Sequence, residues 1–164
     1  MAGSAPLDHD RAEKVNERMR IWGAILAITA GVAISYGFTK ELTLEQLKAR
    51  LEHAKPDERA SLSVQVAEHQ VENADRLYTA GKSEEAVAAV HEVVSYSEQA
   101  QQASTQTGHR LKNVEIAVRR MSRRLTDIKR RLPFDDQATV QEAVERLDKI
   151  DSELLKSMFG KNPK

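Results

Sequence analysis

The chain has 164 residues, of which 40% are apolar, 30% charged and 4% aromatic, with 25 Lys and Arg against 25 Asp and Glu and no cysteine. That length suits one domain with a modest core, or an elongated helical body without a single centre. Balanced charge leaves no global field to draw in nucleic acid or lipid, and the absence of cysteine excludes disulfides, thiol nucleophiles, thiolate metal sites and thioether-linked haem.

Residues 1–20 form a polar extension, and Ile21 to Phe38, IWGAILAITAGVAISYGF, is an uncharged apolar run in an otherwise polar chain. As a single transmembrane helix it is marginal in length and diluted by Gly23, Thr29, Gly31, Ser35 and Gly37. Trp22, Tyr36 and Phe38 suit the interfacial belts, and Arg18 with Arg20 the cytoplasmic side. As a signal peptide it offers an apolar stretch from Ile21 to Ile34, with a cut after Ser35 or Gly37, and translation from Met19 would make that pattern an ordinary one. A buried soluble helix is the third reading. It is disfavoured because the later helices have apolar stripes too narrow to enclose a helix that is apolar all round. Either leading reading places the remainder outside the cytoplasm of a bacterium. The body is then periplasmic or extracytoplasmic, either anchored in the inner membrane or secreted after cleavage.

Residues 42–160 are expected to be an all-α body. Thr43 with Gln46 makes a capping box and Leu42 with Leu47 a hydrophobic staple, predicting a short helix over Thr43–His53. Lys55-Pro56-Asp57 ends it. A second helix opens near Pro56, carries Ala60, Val64, Ala67, Val71, Ala74 and Tyr78 on one stripe, and stops at Gly81. Ser83 is expected to cap a third, with Glu84 and Glu85 favourable at its positive end.

From Ala86 a four-three stepping runs without loss of register through Val90, Val93, Ser97, Ala100, Ser104, Thr107, Leu111, Val114, Val118, Met121, Leu125 and Ile128 to Leu132. It predicts one long, coiled-coil-like helix over about residues 83–132, with a break at Gly108 as the alternative. Pro133 ends that helix and Asp135 or Asp136 is expected to cap the last one, whose stripe is Val140, Ala143, Leu147, Ile150, Leu154 and Met158. Two antiparallel hairpins sharing the long helix follow from the short turns.

Within this frame, ADRLYTAGKSEEAVAAVHEV over residues 74–93 resembles a tetratricopeptide hairpin, with Gln70 and Asn73 departing from that pattern and no second copy present. Over a longer span, ELTLEQLKARL, ADRLYTAG, VEIAVRRMSRRLTDIKRRLPFDDQ and LLKSMFGK together resemble a family of small exported helical proteins of soil bacteria such as Acidobacteria, over about residues 41–161. The resemblance implies export and a helical body, and supplies no site residues.

One charged cluster stands out. Arg119, Arg120, Arg123, Arg124, Lys129, Arg130 and Arg131 face only Asp127 locally. The acidic last helix, through Glu142, Glu145, Asp148, Asp151 and Glu153, is the expected counterweight, and Arg124, Lys129 and Arg131 flank the seam. Arg119, Arg120, Arg123 and Arg130 point away, as candidates for contact with an anionic partner such as phospholipid, a polyanion or an acidic protein. No aromatic residue interleaves with them, so nucleic acid is not expected.

His69 and His91 lie at similar distances on either side of Gly81, but the Glu-x-x-His spacing of carboxylate-bridged bundles is missing, so no metal site is assigned. No nucleophile elbow, phosphate-cradling glycine loop or H-E-x-x-H is present. The expectation is a non-enzymatic scaffold or interaction protein, without cofactor or small-molecule substrate. It would meet an unidentified protein partner or itself through its helices, and the membrane through residues 21–38 if these are uncleaved.

Overall fold

The computed structural model describes residues 42–160. The extension 1–20, the apolar segment 21–38 and residues 161–164 lie outside the described residues, as do the signal-peptide and membrane-anchor expectations that rest on them. Among the described residues there are five helices and no strand: α1 (Leu44–Glu52), α2 (Pro56–Thr79), α3 (Ser83–Thr107), α4 (Leu111–Lys129) and α5 (Phe134–Phe159). None of them is long and apolar enough to cross a membrane.

The capping box at α1 forms as expected. Gln46 N–H donates to Thr43 Oγ1 at 3.3 Å and Thr43 N–H to Gln46 Oε1 at 3.1 Å, so two otherwise orphaned donors are satisfied together. Pro56 opens α2, where its missing N–H costs nothing. At the other end Gly81 adopts φ 73° and Lys82 N–H returns to Leu77 C=O at 2.9 Å, an αL stop that turns the chain straight into α3.

The long helix expected over residues 83–132 does not form. Gly108 takes φ 71° and Arg110 φ 61°, so α3 ends at Thr107 and α4 starts at Leu111. Thr107 supports the break: its hydroxyl donates to Ala103 C=O at 2.9 Å and accepts from His109 N–H at 3.3 Å. Both capping expectations also need correction. The Ser83 hydroxyl donates to Asp136 Oδ2 at 3.1 Å instead of capping α3, and neither Asp135 nor Asp136 caps α5, which opens on Pro133. A hydroxyl and a carboxylate at facing helix starts can satisfy one another as well as they can satisfy their own backbones.

The direction of each helix follows from its contacts. Arg119 meets Asp151, Ser122 meets Asp148 and Lys129 meets Gln141, so α4 and α5 are antiparallel. Between the hairpins the order is reversed. Asp57, Glu68 and Asp75, along α2, face His109, Arg120 and Arg131 in turn, and Ser83, Glu98 and Gln101 on α3 face Asp136, Arg146 and Glu153 on α5. Thus α2 is parallel to α4 and α3 to α5. The α2–α3 hairpin is stacked on the α4–α5 hairpin with like helices side by side, and the backbones of α2 and α5 lie apart. This is the stacking of helical solenoids, reduced to two hairpins.

The expected stripes enter the core. Ala67, Val71, Ala74, Val90, Val93, Val118, Leu125, Ile128, Val140, Leu147 and Leu154 are buried in one cluster shared by α2, α3, α4 and α5. Small residues from α3, among them Ser97, Ala100, Ala103 and Ser104, let its backbone sit close to its neighbours. A second cluster of Leu47, Leu51, Leu62 and Val66 fastens α1 onto the outside of the first hairpin.

Candidate functional site

The arginine-rich face lies along α4 and the turn after it. Its counter-charges come mainly from α2, the parallel neighbour, and only in part from the acidic last helix. Arg120 pairs with Glu68, and Arg131 with Asp75 at 2.8 Å. Arg119 pairs with the buried Glu115 one turn back and lies 3.5 Å from Asp151 of α5. Arg130 meets Asp127 at 3.3 Å in an exposed local pair. Of the four arginines read from the sequence as pointing away from the seam, Arg123 alone makes no ion pair among the described residues, and Arg124 beside it makes none either.

Three further acids of α5 accept from neutral donors. Asp148 accepts from Ser122 at 2.7 Å, Glu145 from Gln141 at 2.7 Å, and Glu153 from Gln101 of the other hairpin at 2.7 Å.

Open grooves score the surface between the helices of the described residues. One, of about 330 Å³, runs between the parallel α2 and α4, with Val71 and Met121 as its floor and Glu68, Glu72, Arg120 and Arg124 as its walls. A second, of about 290 Å³, separates α3 from α5 and is lined by His91, Glu98, Glu142 and Arg146. A third, of about 340 Å³, lies beside α1 and includes Leu44, His69 and Arg76. His69 and His91 therefore line different grooves, and the hairpin does not bring them to one centre. Each groove carries charged side chains of both signs and opens to solvent, which suits a polypeptide better than a small molecule that needs enclosure.

A polar network escaped the sequence reading. Lys48 of α1 lies 2.6 Å from Glu92 of α3 and 5.8 Å from the centre of the Tyr96 ring. Glu92 also accepts from the buried Gln70, whose Oε1 accepts from Asn73 at 3.1 Å. Burial alone would lower the Lys48 pKa, but the hydrogen bond and charge of Glu92 outweigh it and hold the ammonium above its usual range. Gln70 and Asn73, the departures from the tetratricopeptide pattern, thus hold Glu92, the carboxylate that meets Lys48 of α1. Near the C-terminal end of α2, burial and the Asp136 charge raise the Tyr78 phenol, whose oxygen is enclosed and has no hydrogen-bond partner among the described residues.

No protein-family model, curated protein or solved structure matches this chain. The functional reading therefore rests on its own residues.

Proposed function

We propose that the chain is a protein-interaction scaffold of the bacterial cell envelope, held there or delivered there by residues 21–38, with the stacked hairpins as its working part. The observation that carries the interaction reading is the parallel stacking of α2 on α4 and α3 on α5. Such stacking leaves rows of like helices with shallow grooves between them, and helical solenoids present their partners with that kind of surface. The analogy concerns architecture and assigns no partner. Ile116, half-exposed on α4, and the exposed Phe134 and Phe159 at the two ends of α5 give this surface apolar contact points.

Localisation is tested by washing membranes with alkaline carbonate and weighing the native chain. A retained anchor leaves the chain in the membrane fraction, and a cleaved leader gives a soluble chain beginning near Tyr36 or Phe38. An intact chain found soluble in the cytoplasm would remove the envelope reading. For the scaffold, a pull-down from envelope extracts is repeated at low and physiological salt. Capture that persists and weakens with Ile116→Ser supports the helical surface. Capture that disappears with salt, and with Arg123→Gln, transfers the role to an anionic partner held by Arg119, Arg120, Arg123 and Arg130. That second reading is favoured by one observation, the absence of an acidic partner for Arg123 and Arg124 among the described residues.

A further inference from the structure

The break between α3 and α4 has an unusual relation to the core. Gly108 and Arg110 are both left-handed, the second without the freedom of glycine, so the connector stores backbone strain. Yet the stripe does not notice the break. Ser97, Ala100 and Ser104 before it and Val114, Val118 and Met121 after it are all buried, and Thr107 and Leu111 continue their spacing across it. A straightened helix from Ser83 to Lys129, about 70 Å long, would present the same residues on one unbroken line.

From this we infer that the chain can exchange its second hairpin with a second copy of itself. Straightening residues 108–110 carries α4 and α5 away from α2 and α3, and exposes on each hairpin the face that the other covered. A second straightened copy laid antiparallel restores both bundles. Its α4 runs parallel to the first copy's α2, and its α5 parallel to the first copy's α3, as within the single chain. The contacts Glu68–Arg120, Asp75–Arg131 and Glu98–Arg146 re-form between copies with their partners unchanged. The arrangement closes on a two-fold axis, so it ends at a dimer. The only backbone that changes is the connector, and it leaves two left-handed conformations for helix.

The test uses the full-length chain, kept in a mild detergent because of residues 21–38 and refolded over a range of concentrations, with size-exclusion and light scattering to separate monomer from dimer. Dimer is expected to appear on refolding at high concentration, and Gly108→Ala to enrich it by roughly fivefold or more, because alanine favours the straight helix and disfavours the turn. The chain contains no cysteine, so Glu68→Cys with Arg120→Cys in one chain reports the exchange through a short bis-maleimide. In a swapped dimer the two sites lie in different copies and the cross-link yields covalent dimers. A dimer whose cross-link stays within one chain overturns the inference, as does the absence of dimer at every concentration. If Gly108→Ala loses its helical circular dichroism, the refolded wild-type background gives the same two outcomes.

Discussion

Glu68 of α2 and Arg120 of α4 form an ion pair between two helices that run in the same direction, and this pair, with Asp75–Arg131 a few turns along, sets the register of one hairpin on the other. The guanidinium is largely exposed, so the pair orients more than it stabilises. A double-mutant cycle with Glu68→Gln and Arg120→Gln is expected to give a coupling of about 0.5 kcal/mol that fades in high salt. A coupling unchanged by salt would contradict this.

The core should respond far more strongly. Leu125 and Leu147 are fully buried at the centre of the shared cluster, and truncation of either to alanine is expected to cost about 2–5 kcal/mol in urea unfolding, through lost transfer free energy and the cavity left behind. Ile116, on the same helix as Leu125 but half-exposed, should lose about 0.5 kcal/mol or less as Ile116→Ala. Similar losses at all three sites would mean that the stripe does not face the core.

Gly81 gives a purely backbone prediction. A Cβ placed on it meets nothing within 4 Å, while its φ is 73°. Gly81→Ala is therefore expected to cost about 1 kcal/mol, the left-handed penalty, without a steric term. Hydrogen exchange should show the loss at the α2–α3 turn.

Tyr78 and Lys48 each add a pH-dependent contribution to stability at the alkaline end. Both folded pKa values are raised above ordinary values of 10.0 and 10.5 respectively. A raised folded pKa means that the native state holds its proton more tightly than the unfolded chain. The contribution of each group is therefore fully present below its unfolded value and is lost as pH rises through the folded one. Thermal unfolding should show stability falling above about pH 10, and the fall should be shallower in Tyr78→Phe and in Lys48→Met than in the wild type. Identical slopes in all three proteins would contradict the assignment.

These sites also show what could be read from the sequence. The stripes could be, because burial selects apolar residues at helical spacing: Val71 and Ala74 on α2, and Leu147 and Leu154 on α5, fall where the pattern puts them. The break at Gly108 was harder to see, since its seam stays in step and periodicity cannot register a local left-handed turn. The small and polar seam residues from Ser97 to Thr107 and Gly108 are its visible signs, and Arg110 gives none. The partners of the arginines were legible only in part. A charge pattern states that acids must be found, and the parallel stacking decides that Glu68 and Asp75 supply more of them than α5 does. The role of Gln70 was hidden for the same reason: its partner Glu92 is brought to it by the hairpin, and Lys48 arrives from a third helix.

The fold-back at residues 108–110 is the centre of the account, and one distance tests it directly. Nitroxide labels replace Ser95 of α3 and Arg123 of α4, both exposed, and pulsed dipolar spectroscopy is recorded on the monomeric fraction. With neighbouring helices about 8–10 Å apart, the stacked hairpins place these sites at one level of the bundle, and a separation below about 30 Å is expected. A narrow distribution centred near 42 Å, the length of 28 residues of unbroken helix, would contradict it.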